Sequence, residues 1–151
     1  MTSRSGSDRA NASLFELAER IRARGLPEAV IQMAIHGGAA VHQALWYRVE
    51  SVSTSPAGPA WNIVATAERE DLVPLWECGS VAVFSAGDGS FLQWDAEEDE
   101  PWIRWPDFPH AVRDLLTDLW EDETMDVQRA EIARLLLPAG EVEAALIPLE
   151  R

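Results

Sequence analysis

The segment SVAVFSAGDGSFLQW, residues 80–94, constrains the fold more than any other part of the sequence. Two runs rich in β-forming residues flank the tripeptide GDG at 87–89, and glycine reaches positive φ without steric cost. This pattern predicts a β-hairpin. Side chains alternate along a strand, so Leu92 and Trp94 should share one face and pack, while Gln93 on the opposite face should meet water.

Two helices are predicted on the N-terminal side of this hairpin. Ser13, with Glu16 three positions on, has the capping-box pattern, and apolar residues then recur at helical spacing as far as Gly25. Pro27 favours the first turn of a second helix, which should end at Gly37.

Two stretches between these helices and the hairpin have the composition of strands. Residues 41–52 contain Trp46 and Tyr47 among polar residues, and WNIVATA at 61–67 is rich in β-forming residues. A loop rich in Ser, Pro and Gly separates the two stretches. We therefore predict a strand in each.

The C-terminal part of the chain has helical patterns again. Asp107 or a neighbouring residue can cap a helix that carries Leu115 and Leu119 on one apolar stripe. Asp122 or Asp126 can begin the next helix, and the segment EVEAALIPLE can add one more helical turn.

The order of these elements predicts the fold class. Helices, then strands, then helices imply an α+β fold with an antiparallel or mixed β-sheet and N-terminal and C-terminal helices packed around it. The chain has 151 residues, of which 47% are hydrophobic, enough for one domain with a packed core. We expect a single domain over residues 13–151, preceded by a flexible tail of small polar residues at 1–12.

Charge and cysteine content limit the possible partners and location. The net charge is -14, with 12 basic against 26 acidic residues, which argues against binding to nucleic acid or to anionic membranes. The lone Cys78 leaves no intramolecular disulfide. The first residues have no apolar core of the kind that a secretory signal needs, and the apolar runs are too short to span a bilayer. We expect a cytoplasmic location.

An acidic run follows the hairpin directly. Five carboxylates fill the six positions from Asp95 to Glu100, between Trp94 and Trp102. A site for a hard cation, a solvated loop partly neutralised by Arg104, and a surface for a basic partner would each produce such a run.

The calcium alternative fits the sequence poorly. An EF-hand loop needs glycine at its sixth position and a bidentate glutamate at its twelfth. Glu100 and Pro106 occupy these positions, and the histidines and Cys78 have no recognised zinc-ligand spacing. We predict no metal site and no cofactor.

The partner surface is the preferred interpretation of the acidic run. Carboxylates attract a cationic partner, and flanking tryptophans can add aromatic anchoring area. The candidate partner-binding residues are Asp95, Glu97, Glu98, Asp99, Glu100 and Trp102. Among the other tryptophans, Trp94 and Trp120 are expected in the core, and Trp105 is either a lid over the core or an exposed anchor.

Enzymatic interpretations find little support in the sequence. The His36-Gly37-Gly38 triplet is accompanied by no nucleophile elbow, and the GDG turn lacks the third glycine of a dinucleotide fingerprint. Cys78 is expected to be a small half-buried residue, and carboxylates in an exposed loop lack the burial that separates acid from base. We therefore assign no catalytic residue.

The segments DLVPLWECGSVAVF, QWDAEEDEPW and DFPHAVRDLLTDLWE, within residues 71–121, resemble the SUKH superfamily. The resemblance implies an α+β fold around a mixed sheet and a noncatalytic binding role. The role most often found there is that of a bacterial immunity protein that neutralises a cognate toxin, frequently a nuclease. A housekeeping scaffold or regulatory adaptor of the same fold is the alternative, and the oligomeric state stays open.

Overall fold

The structure is a computed structural model that describes the backbone of residues 6–151 and the side chains from residue 13 onward. Helix α1, Gly6–Ala23, begins ahead of the predicted start at Ser13, and helix α2 is Glu28–His36. Gly25 and Gly37 end these helices with φ of 74° and 90°, a region that favours glycine. The part of the predicted tail at residues 1–5 lies outside the described residues.

The strand predicted over residues 41–52 is wrong. This segment contains one short 3-10 helix, Gln43–Leu45, and a second, Gly38–Ala40, comes directly before the segment. Within the segment only Glu50 bridges to a strand, at Glu77. The segment folds back on Gly38, whose backbone N–H donates to the Val49 carbonyl at 2.8 Å. Packing against Gly38 thus overrides the strand propensity of the local aromatic residues.

The strand predicted over residues 61–67 is also wrong, because this segment belongs to helix α3, Pro59–Thr66. Proline at the first helical turn is a start signal, and Ala60 and Ile63 are buried three positions apart, a helical spacing.

The sheet contains four strands: β1 is Val73–Cys78, β2 is Val81–Ser85, β3 is Phe91–Asp95 and β4 is Ile103–Trp105. Their order is β1-β2-β3-β4, and every neighbouring pair is antiparallel. The predicted hairpin is therefore confirmed as β2–β3, with Gly89 at φ 89° in its turn.

Helices cover both faces of the sheet. Leu92 and Trp94 are buried as predicted, but Phe91 is buried too, and Gln93 is half-buried. The expectation that the second face meets water is thus wrong. The reason is that Ala111 and Leu115 of a C-terminal helix lie across that face.

Three helices follow the sheet: α4 is Phe108–Glu121, α5 is Asp126–Leu136 and α6 is Ala139–Ala145. Asp107 caps α4 by accepting the His110 backbone N–H at 3.0 Å, as predicted, and Asp126 begins α5. The α+β class is confirmed, and the sheet is antiparallel. None of the helices in residues 6–151 is both long and apolar enough to cross a membrane.

Candidate functional site: an acidic loop beside an aromatic cavity

The acidic loop, residues 96–102, connects β3 to β4 and is held at both ends. At its start, the Ala96 backbone N–H donates to the Ser80 carbonyl in the β1–β2 turn at 2.9 Å. At its end, the Trp102 N–H donates to the Gln93 carbonyl at 2.8 Å. The loop therefore projects from the sheet in a defined conformation.

Asp95 shapes this loop from within. Its side chain is only 9% exposed, and its Oδ1 accepts the Glu97 backbone N–H at 2.9 Å. Its carbonyl accepts the Glu98 N–H, and the Trp94 indole Nε1 donates to the Glu98 carbonyl, both at 2.9 Å. This is a side-chain-stabilised turn of the kind that Asp favours. Asp95 thus lies below the surface that the other carboxylates form.

The remaining candidate residues lie on the surface. These exposed residues are Glu97, Glu98, Asp99, Glu100 and Trp102. The partial neutralisation by Arg104 that belonged to the solvated-loop alternative is not found, because Arg104 instead pairs with Asp88 in the β2–β3 turn. Among the ion pairs of the described residues, none involves the four exposed carboxylates. Their charge is therefore fully displayed to solvent.

An aromatic cavity of about 220 Å³ lies beside this loop, between the sheet and α4. Trp102 belongs to both features. Trp76 of β1 and Trp105 of β4 supply further walls, and the polar lining includes Gln93 and Asp118. The sequence predicts only Trp102 as a site residue. The other walls come from strands and a helix that are far apart in the chain, so no local pattern groups them.

Carboxylates on α4 form one side of the aromatic cavity and already hold a guanidinium. Asp114 accepts the Trp105 indole N–H at 3.0 Å through Oδ2 and pairs with Arg151 through Oδ1. Arg151 also pairs with Asp118 at 2.6 Å and with Glu121 at 3.5 Å. Three carboxylates thus share one arginine, which leaves negative charge in excess.

Arg48 itself lines the cavity, and it is held in a tight ion pair. Arg48 donates to Asp122 twice, from Nε at 2.7 Å and from Nη2 at 2.9 Å, and lies 5.8 Å from the Tyr47 ring centroid. The Arg48 hydrogen bond holds the pKa of Asp122 below its usual range. Arg48 is therefore neutralised locally by a fixed partner.

The burial of the other tryptophans and of Cys78 matches the sequence predictions only in part. Trp94 is buried as predicted and Trp105 covers the core, but the prediction that Trp120 is buried is wrong, since half of it is exposed. Leu116 and Leu119 fill the buried stripe of α4, which turns Trp120 outward. Cys78 is half-buried as expected, and burial raises the pKa of its thiol, which lowers its reactivity at neutral pH.

The described residues contain no group of three or more His, Cys, Asp or Glu side chains placed to hold a metal ion. Comparison of the chain with models of protein families, with curated proteins and with solved structures found no match in any of the three.

Proposed function

We propose that this chain is a noncatalytic binding protein of SUKH type that neutralises a basic toxin domain, of the nuclease class, in the manner of a bacterial immunity protein. The observation that carries the proposal is a set of four exposed carboxylates, which form no ion pair with the described residues, on a loop that main-chain hydrogen bonds hold in place. The exposed Trp102 beside them, 56% accessible, adds an aromatic contact.

Electrostatics favours such a complex in two ways. Two carboxylates about 6 Å apart in water repel each other by roughly 0.7 kcal/mol before salt screening, and a cationic partner relieves this repulsion. The field of an acidic surface also accelerates encounter with a basic protein. Because the loop is already ordered, little conformational entropy is lost when it docks.

A nuclease suits this chemistry because enzymes that act on nucleic acid line their clefts with Lys and Arg. An acidic loop can occupy the place of substrate phosphates and thereby block the cleft. The net charge of -14 keeps the whole molecule attractive to such a partner.

A noncatalytic role accords with the state of the reactive groups around the loop. The Cys78 thiol has a raised pKa, the loop carboxylates are solvated, and Asp114 and Asp118 are engaged by Arg151. None of these groups has the combination of burial and neighbouring base that a nucleophile or general acid needs.

A rescue experiment tests this proposal. Proteins encoded next to this chain's gene are expressed singly, and any lethal one is co-expressed with this chain. We expect the wild-type chain to restore growth and a loop variant, E97Q/E98Q/D99N/E100Q, to fail. A control variant, E16Q/E70Q/E141Q/E143Q, loses the same charge from exposed, unpaired positions elsewhere and should rescue fully. Equal rescue by both variants would remove the acidic loop from the interface. If none of the proteins encoded next to this chain's gene is lethal, the adaptor role would be favoured.

A further inference from the structure

The aromatic cavity has the walls of a site for a flat cation. Trp76, Trp102 and Trp105 line it, and they come from β1, the acidic loop and β4. Indole faces attract cations, and a guanidinium group can stack on them because it is planar.

Free hydrogen-bond acceptors lie between these walls. Gln93 is half-buried and lines the cavity, and its side chain forms no hydrogen bond with the residues described. No fully buried polar side-chain atom in the described part of the chain lacks a partner. The Gln93 carboxamide is therefore accessible from the cavity. Asp118 lines the same space, and Arg151 is bonded to only one of its two oxygens.

The protein's own arginines show what chemistry this region accepts. Arg151 lies across Asp114, Asp118 and Glu121, and Arg48 lies near the Tyr47 ring while bonded to Asp122. In both cases a guanidinium forms ion pairs with carboxylates on α4 or at the C-terminal end of α4. Arg48 repels a further cation only weakly, because Asp122 forms two bonds to it.

We infer that the aromatic cavity receives one arginine side chain of the basic partner, stacked on tryptophan and bonded to Gln93 and Asp118. This inference rests on the proposed function. An acidic side chain would meet the α4 carboxylates, and an apolar one would leave Gln93 and Asp118 desolvated without partners. Lysine lacks the planar fork that can stack and bond at the same time.

An NMR titration of the full-length ¹⁵N-labelled protein tests the inference with defined probes. N-acetyl-arginine methylamide should shift the Trp102 indole and Gln93 side-chain signals saturably, with a dissociation constant in the millimolar range. The neutral citrulline analogue and the phenylalanine analogue should each bind at least about tenfold more weakly, since they form no charge-assisted bond. Equal binding of either analogue, or arginine shifts that do not include Trp102 and Gln93, would overturn the inference.

Three variants distinguish arginine binding in the cavity from a general effect of the protein's negative charge. Asp118→Asn keeps the shape of the side chain and should weaken arginine binding about fivefold, as expected for the loss of a partly exposed charge partner. Glu143→Gln removes the same charge from α6, outside the cavity lining, and should change the affinity for the arginine probe less than twofold. Trp102→Leu, at an exposed position that the fold tolerates, should also weaken binding. Equal effects of Asp118→Asn and Glu143→Gln would contradict a specific site.

Different experimental results would contradict this inference and the proposed function. The loop variant E97Q/E98Q/D99N/E100Q should slow association with the protein partner yet bind N-acetyl-arginine methylamide within about threefold of wild type, since rim charges contribute little to a short-range contact. If the arginine probe does not bind while partner association still depends on loop charge, the cavity inference falls alone. If the probe binds but no lethal neighbouring protein is neutralised by this chain in the rescue experiment, the proposed function falls instead.

Discussion

Trp94 Nε1 donates a hydrogen bond to the Glu98 carbonyl at 2.9 Å and thereby ties the exposed acidic loop to a side chain in the core of the sheet. Trp94 is 5% exposed, whereas Glu98 lies on the surface. The rigidity of the loop is thus a property of the core. The proposed partner would therefore meet carboxylates carried by a main chain whose course is fixed by the folded sheet.

Trp94→Phe should therefore loosen the loop as well as destabilise the fold. The change leaves the Glu98 carbonyl without its indole donor and leaves space in the core, so we expect a loss of about 1–3 kcal/mol in the free energy of unfolding. Amide exchange at Glu97 and Glu98 should accelerate beyond the global effect. Trp102→Phe, at an exposed position, should cost less than about 0.5 kcal/mol and leave that exchange unchanged. If amide exchange accelerated equally across the sheet and the loop, a specific role of the Trp94–Glu98 hydrogen bond would be contradicted.

Two substitutions of Asp95 should separate charge from loop shape. Asp95→Asn keeps an oxygen that can accept the Glu97 N–H, whereas Asp95→Ala removes it at a cost of about 1 kcal/mol in stability. We expect the partner's association rate to stay near wild type in Asp95→Asn and to fall in Asp95→Ala. Kinetics by stopped flow would check this. If Asp95→Asn slows association as much as Asp95→Ala does, the Asp95 carboxylate itself contacts the partner.

Gly38→Ala should disrupt the segment between α2 and α3. A Cβ at this position would lie 2.6 Å from the Leu45 Cβ and 2.7 Å from the Val49 Cβ, both in the core. We expect a loss of about 3 kcal/mol by denaturant unfolding, since well-packed sites accommodate added methyl groups poorly. Gly140→Ala is the matched control, because nothing lies within 4 Å and the helix should gain up to about 1 kcal/mol. Similar effects at both positions would show that the close packing around Gly38 is not rigid.

Glu77 should make stability depend on pH in an unusual direction. Its carboxylate is buried and accepts the backbone N–H groups of Ser53 and Ala60, each at 3.2 Å. Burial raises its pKa above the ordinary value despite these bonds. The folded state then holds the proton more tightly than the unfolded state does, so the contribution of Glu77 is present at low pH and is lost as pH rises through the raised pKa.

Comparison of wild type with Glu77→Gln should reveal this dependence. The free energy of unfolding of wild type relative to the variant should fall as the pH rises above 4.5, the ordinary pKa of glutamate. Urea unfolding at several pH values measures it. A difference that is constant or rises with pH would mean that the hydrogen bonds from Ser53 and Ala60 outweigh burial.

Local signals in the sequence predicted the hairpin and the C-terminal helices because each of these elements is specified by its own residues. The GDG turn requires glycine, and Asp107 caps α4 with its own side chain. The conformation of residues 41–52 is not specified locally, because it depends on contact with Gly38. The helix over residues 61–67 is hidden in the sequence because its starting proline lies in a stretch rich in Ser, Pro and Gly that favours a loop.

The candidate site could be predicted only in part for the same reason. A run of carboxylates predicts an exposed charged loop wherever it occurs, and four of the five acids are exposed. The inward role of Asp95, the pairing of Arg104 with Asp88 and the cavity behind Trp102 depend on tertiary contacts between distant segments. Composition and spacing carry no information about such contacts.

The rate constant for association with the proposed basic partner, measured against ionic strength by stopped flow, tests the role of the acidic loop most directly. For wild type the logarithm of the rate should fall steeply with salt, whereas E97Q/E98Q/D99N/E100Q should associate about tenfold more slowly at low salt with a flatter dependence. The control E16Q/E70Q/E141Q/E143Q should keep most of the wild-type slope. Superimposable salt profiles for the loop variant and the control would contradict recognition through this loop.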